Sequence, residues 1–283
     1  MGWFTEAETF VRRIVWKPVR TLFAAYGVLF TLSKTVTFAL PGAKVFLDGD
    51  TGTRSVLLAG LAIFLYDFIK PRRVKWKVPG SNTTLEVRLG DLFEQDGLRI
   101  IPANEYFDSK LGKAVSPNTL HGMLIKEHFV GGEAAFAREV KKALLGKPFV
   151  ATQRQQGPGK AYPIGTTVQI SDTNGDYLLF ALSRSNLAAS KAETDLPQLW
   201  EALAGAWDGA RNECGGSDVN MPLAGTGQSG AGLNTRDALK IVIHSATIAT
   251  TKTRVTGKIR IVLHKDSWSE VDLRDVRAYW SSY

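Results

Sequence analysis

With a single cysteine, Cys214, the chain cannot form an intrachain disulfide, and nothing in its thiol content points to secretion. Histidine is scarce as well. His121, His128, His244 and His264 are scattered, and no pair has metalloprotease or zinc-finger spacing, so they read as structural or surface residues. Internal repeats and low-complexity tracts are absent. A hydrophobic fraction of 44% with 22% charged residues excludes a disordered chain, and 283 residues suffice for one large domain or two smaller ones. Acid is the charge in deficit. The 35 Lys and Arg outnumber the 27 Asp and Glu, and the net +8 favours an anionic partner: nucleic acid, phospholipid or a phosphorylated metabolite.

What is present begins with apolar sequence. Residues 1–18 place Phe4, Phe10, Val11, Ile14 and Val15 among Arg12, Arg13 and Lys17, with Trp3 and Trp16 near the ends. That pattern predicts a basic amphipathic segment at a membrane surface. A cleaved leader fits less well, because the apolar stretch starts late and lacks a small-residue cleavage site. Residues 19–78 hold two apolar runs, Val19 to Leu40 and Ser55 to Ile69. The first has the length of a membrane span, with Lys34 near enough to an end to snorkel or face a partner helix. The second is short, and alone would pass for a buried helix. Arg12, Arg13, Lys17 and Arg20 precede the pair, and Lys70, Arg72, Arg73, Lys75 and Lys77 follow it. Basic clusters at both open ends predict a transmembrane helical hairpin with both termini in the cytoplasm. A nucleic-acid patch after Ile69 is the weaker reading beside an apolar run.

Pro79-Gly80-Ser81-Asn82 marks a change of composition, and 79–283 reads as one domain. Strands are predicted over 84–89 and 98–101, over 166–170 and 177–183 around an Asp172-Thr-Asn-Gly175 turn, near 217–224, and over 257–264. Helices are predicted from Ser116 through Phe129, over 133–145, from Thr194-Asp195, from Thr235, and over 272–280. Alternation of this kind implies a mixed sheet covered on both faces, a three-layer α/β/α fold, with ligands beyond the carboxyl ends of its strands. The organising stretch is Asn220 to Ile243. Gly225, Gly227, Gly230 and Gly232 lie in a turn before a helix that Asn234 caps, with Asp237 in the reciprocal position. Such amides suit a phosphate; a loop that binds nothing is the alternative.

Three stretches together resemble the signatures of a macro domain: Val87-Arg-Leu-Gly-Asp91-Leu92, Ile100-Ile-Pro-Ala-Asn104, and Pro222-Leu-Ala-Gly225-Thr226-Gly227 with Gly230. A hairpin followed by a divergent macro domain is similar to the membrane effectors of type II Thoeris antiphage defence. The resemblance implies a pocket for an ADP-ribose derivative and no other cofactor. Asp91 would meet the adenine amino group, or orient the adenine through Leu92; a helix-capping role is the alternative. Asn104 would contact the distal ribose, or be an ordinary Asx-turn residue. The backbone of Gly225, Thr226, Gly227, Gln228, Ser229 and Gly230 would hold the diphosphate. The usual glycine run after the asparagine is replaced by Glu105-Tyr-Phe-Asp108-Ser-Lys-Leu-Gly112. These residues would read a further group on the nucleotide, or serve as core and caps. Arg154 and Lys160 read as a solvated loop face.

By resemblance, the protein is a non-enzymatic effector in abortive infection, with no role for nucleic acid. It would sit as a multi-pass protein in a bacterial inner membrane, sense an NAD-derived signal made by a TIR-domain partner, assemble as a homo-oligomer with a tetramer favoured, and disrupt that membrane through its hairpin. The alternative is a membrane-tethered ADP-ribosyl hydrolase, for which Asp108 or Glu105 would have to act as base. A scaffold role is the weakest option.

Overall fold

The computed structural model describes residues 17–39, 54–55, 57–62, 65, 71–112, 114–154, 157, 159–186, 191–226 and 231–280. They fall into two units, Met1–Pro71 and Arg72–Tyr283. In the first, α1 (Lys17–Ala39) covers 23 residues, about 35 Å at the usual helical rise. Thr31 and Thr35 donate their hydroxyls back to the carbonyls of Gly27 and Thr31, at 2.8 and 2.9 Å, which satisfies both polar groups inside the helix. Phe23 and Phe38 are 69% and 90% exposed, and Leu57 and Leu58 in the second run are exposed too. Among the described residues, no helix is long and apolar enough to cross a membrane. The second run is helical at 54–55, 57–62 and 65; its remainder, and residues 1–16, lie outside the described residues.

The second unit is built on an eight-stranded mixed sheet. Its strands are β1 (Arg73–Lys77), β2 (Thr84–Leu89), β3 (Leu98–Asn104), β6 (Thr167–Asp172), β7 (Gly175–Asn186), β8 (Lys191–Glu193), β9 (Val219–Pro222) and β10 (Lys258–Leu263). The order is β1-β2-β10-β9-β3-β7-β6, with β8 on β7, and β4 (Val150–Ala151) pairs separately with β5 (Lys160–Ala161). The five central strands are parallel, so their carboxyl ends share one edge. On one face lie α4 (Leu196–Glu213), α5 (Thr235–Lys252) and α6 (Leu273–Trp280), whose Leu203, Val242 and Leu273 pack on Leu85, Ile100 and Phe180. On the other lie α2 (Leu120–Met123), widening into a π-helical turn over Leu124–His128, and α3 (Gly132–Ala143), packed on Ile101, Leu179 and Val168. The expected three-layer α/β/α arrangement is present in this unit.

Several ends differ from expectation. The helix expected from Ser116 starts at Leu120. Thr119 is its cap, because the Thr119 hydroxyl accepts from Gly122 N at 3.1 Å, while Ser116 offers only its carbonyl. The compact unit begins at Arg72, ahead of the expected boundary at 79. Residues 73–77 are an edge strand antiparallel to β2: Val74 and Trp76 point into the core, and Trp76 stacks on Trp280 with ring centroids 6.4 Å apart. The basic residues interleaved with them made the period of two easy to read as a charge cluster.

A unit cut at residue 79 loses β1 with the burial of Val74 and Trp76. It should be less stable than one cut at 72 by about 3 kcal/mol. Urea unfolding of the two fragments measures this; equal midpoints would remove β1 from the domain's core.

Candidate functional site

The sheet opens at one place. Pairing between β3 and β9 lasts only for Leu98↔Val219 and Arg99↔Asn220, although both strands continue, and each carries a proline, Pro102 or Pro222, that lacks an amide donor. The chain leaves β3 toward the α2–α3 face and leaves β9 toward the α5 face. Adjacent parallel strands whose connections depart to opposite faces make a crevice beyond their carboxyl ends, the usual ligand position in such sheets.

One wall is the bend after β9. Gly225 has φ +96°, and a Cβ there would lie 2.9 Å from Leu199 Cδ2 of α4, so glycine fits this position on two counts. Gly225 is buried and Thr226 exposed, whereas Gly227, Gln228, Ser229 and Gly230 lie outside the described residues. After the bend, Asn234 caps α5 as expected. Its Oδ1 accepts from Asp237 N at 2.9 Å, and its amide donates to Asp237 Oδ2 at 2.7 Å.

Asp91 follows β2. Its Oδ1 accepts from Phe93 N at 2.8 Å, an Asx turn, and its carbonyl accepts from Gln95 Nε2 at 2.6 Å. The Leu92 side chain is only 4% exposed and belongs to the second core cluster, so just its backbone remains for a ligand.

Asn104 sits at a register shift that ends β3. Its Oδ1 accepts from Tyr106 N at 3.1 Å and Asp108 N at 3.3 Å, and its Nδ2 donates to Asp108 Oδ2 at 3.0 Å. Between them Phe107 is held at φ +50°. Asp108, 1% exposed, receives Arg154 on both oxygens, at 2.9 and 3.0 Å. The guanidinium lies 3.8 Å from the Tyr106 ring centroid. Arg154 is therefore no solvated loop residue: its side chain is 7% exposed and neutralises a buried acid. Gly157 closes over the pair, where a Cβ would meet Asp108 Oδ1 at 2.6 Å. The residues in place of the glycine run thus form a packed polar knot. Glu105 is engaged too, its Oε1 accepting from Ser185 N at 3.1 Å. Behind the knot lies a cavity of about 900 Å³, walled by Tyr106, Leu111, Ala137, Leu144, Phe149 and Tyr162. Sequence reading singled out Asn104 for the ribose and left Asp108 open between a ligand contact and a core or cap role, and it missed the arginine 46 residues away that pairs with Asp108.

His121 is fully buried near Asp108 and packs on Phe136 at 5.6 Å. Burial lowers its pKa to about 4, outweighing the attraction of Asp108, which raises it. No group of residues suited to a metal occurs among the described residues.

A family model described as "Thoeris protein ThsA, Macro domain" matches residues 85–264. No curated protein matches the chain. Among similar solved structures is the Oceanobacillus iheyensis macrodomain with MES bound, at 14% identity and TM-score 0.52, covering 75% of this chain and 98% of that one. The same macrodomain with ADP gives 15% identity and TM-score 0.51, with the same coverage. At such identities the likeness is one of fold.

Two outcomes follow from the knot. Arg154→Ala leaves a buried carboxylate unpaired and should cost about 3–5 kcal/mol in denaturant unfolding, against little for a change at exposed Lys160. The second concerns pH. A folded pKa of about 4 lies below the ordinary histidine value of 6.5, so protons bind the unfolded state preferentially. Stability should be intact above pH 6.5 and fall between 6.5 and 4, by about 3 kcal/mol in all. In His121→Phe that part of the pH dependence should vanish; an unchanged slope assigns it to other groups.

Proposed function

The chain belongs to the Thoeris ThsA macro-domain family, and from that premise we propose that its crevice senses an ADP-ribose-type nucleotide in antiphage defence. The observation that carries this reading is the parting of β3 and β9 beside the bend at Gly225. Amides of that bend, including those of Gly227, Gln228, Ser229 and Gly230, hold the diphosphate. Asp91 Oδ2 accepts from the adenine amino group, since Oδ1 is already committed to Phe93 N. The Leu92 amide supports the same ring. The similar Oceanobacillus iheyensis macrodomain is known with ADP, which supports a nucleotide in this cleft.

Asn104 reaches the distal ribose by exchanging its bond to Asp108 for one to the ligand. This exchange makes the resting and liganded loops different, as any signalling role requires, because a ligand with equal affinity for two states shifts neither. The cavity behind Tyr106 and Asp108 gives room for a group attached beyond that ribose. A TIR-domain partner supplies the nucleotide from NAD, and the bound form, as a homo-oligomer, acts on the inner membrane through the apolar N-terminal unit. Exposed Phe23, Phe38 and Leu58 support a lipid or protein partner for that unit. Hydrolysis is the poorer reading, because Asp108 is ion-paired on both oxygens and Glu105 accepts from Ser185 N, so neither is a ready base.

Calorimetry of 72–283 with ADP-ribose and its conjugates should show saturable binding without turnover. Gly225→Val, which forces a side chain against Leu199, should weaken it about tenfold or more, roughly 1.4 kcal/mol. No heat with any such nucleotide, or wild-type affinity in the variant, would overturn the assignment; steady turnover would restore the hydrolase.

A further inference from the structure

The helices leave one part of the sheet uncovered. Val74, Leu85, Val87, Ile259 and Ile261 of β1, β2 and β10 face α4–α6. On the opposite face, β3, β6, β7 and Val262 of β10 share the second core cluster with α2 and α3, and Glu86 of β2 is buried, whereas no residue of β1 enters that cluster. The open β1 edge presents Arg73, Lys75 and Lys77, all exposed, with Arg88 of β2 and Lys258 of β10 partly so. The register sets them side by side: Arg73↔Arg88, Lys75↔Glu86 and Lys77↔Thr84 across β1–β2, then Thr84↔Lys258 and Glu86↔Arg260 across β2–β10.

Acids only partly offset this array. Glu86 lies 3.8 Å from Arg88, and Asp218 receives Lys258 at 3.2 Å and Arg260 at 2.5 Å. Arg73, Lys75 and Lys77 form no ion pair with a described acid. Arg73 also stands directly opposite Arg88, an unfavourable cross-strand pairing that the fold alone has no reason to keep.

From this arrangement we infer that the exposed β1 edge, with Arg88 and Lys258 beside it, docks on an anionic phospholipid surface. Alternate residues along a strand are spaced about 7 Å apart, and neighbouring strands about 5 Å, so the cations form a shallow plane suited to a layer of headgroups. Single-stranded nucleic acid is the poorer fit, because it wants aromatic platforms and the one aromatic of β1, Trp76, is turned into the core. Position in the chain agrees. Arg73 comes four residues after the apolar run Ser55–Ile69, where juxtamembrane cations meet an acidic leaflet. The inference does not require that the run spans the bilayer.

The experiment uses the unit 72–283, which contains both core clusters and every strand of the sheet. It is sedimented with phosphatidylcholine vesicles, with and without phosphatidylglycerol. Binding should require phosphatidylglycerol and weaken as salt rises. Lys75→Gln/Lys77→Gln should weaken it about 25-fold, at about fivefold per cation lost, and Lys75→Glu/Lys77→Glu more than that. Lys252→Glu, at the end of α5, should leave it unchanged. Absence of binding to phosphatidylglycerol, or equal binding by the Lys75/Lys77 and Lys252 variants, would overturn the inference. Tighter binding to DNA than to the vesicles, lost in the same double variant, would overturn it in favour of nucleic acid. ADP-ribose calorimetry on these variants should match the wild type, so failure here is separable from failure of the nucleotide reading.

Discussion

Two registers of pairing, Leu98↔Val219 and Arg99↔Asn220, hold the halves of the sheet together, and their early end shapes everything above them. Strands that part leave backbone donors and acceptors without ladder partners, and buried ones must find others. On the β3 side they do so by folding back. Glu105 N donates to Ser183 O at 2.9 Å, Tyr162 N donates to Glu105 O at 2.8 Å, and Asn104 Oδ1 collects two further amides. On the β9 side the chain bends at Gly225, and the start of α5 is capped by the Asn234 side chain, which accepts from Asp237 N at 2.9 Å. The β3 wall of the crevice is thus closed by the chain's own hydrogen bonds.

The knot follows from electrostatics. A carboxylate as buried as Asp108 is tolerable only with a partner, and Arg154 supplies charge and geometry together. The ring of Tyr106 covers the guanidinium, and Gly157 admits the loop that carries it. His121 shows how dry the region is: even with an acid nearby, burial keeps the imidazole neutral. A glycine run would wrap a ligand by conforming to it. This loop is instead held by specific bonds of its own.

What was legible in the sequence was local. The Asp172–Gly175 turn, the Asn234 and Asp195 caps, and the strands β2 and β10 each depend on residues a few positions apart, and each forms as read. What escaped was distant or disguised. Nothing near Arg154 announces Asp108, and a polar glycine-containing loop reads as solvent-facing until the fold brings it down on the knot. β1 was hidden by its own charge, since Arg73, Lys75 and Lys77 match a juxtamembrane cluster as well as they match one face of a strand. Ser116 and Thr119 are both plausible caps, and only the path of the chain into the π-helical turn selects the second.

The same packing limits how the molecule can respond. Gly225 rests on Leu199, and Leu199 belongs to a core cluster continuous through Trp207 and Val242 to Leu85, Trp280 and Val74. Side chains packed at interior density do not deform gradually, so the sheet and α4–α6 move as a body or not at all. Movement therefore falls to segments outside that cluster, the loop from Glu105 to Gly112 and the cover around Arg154 and Gly157. These join at Asp108, whose carboxylate receives both the Asn104 amide and the Arg154 guanidinium. The two segments are therefore coupled through one buried charge, and a change in the bonds of either is felt by the other.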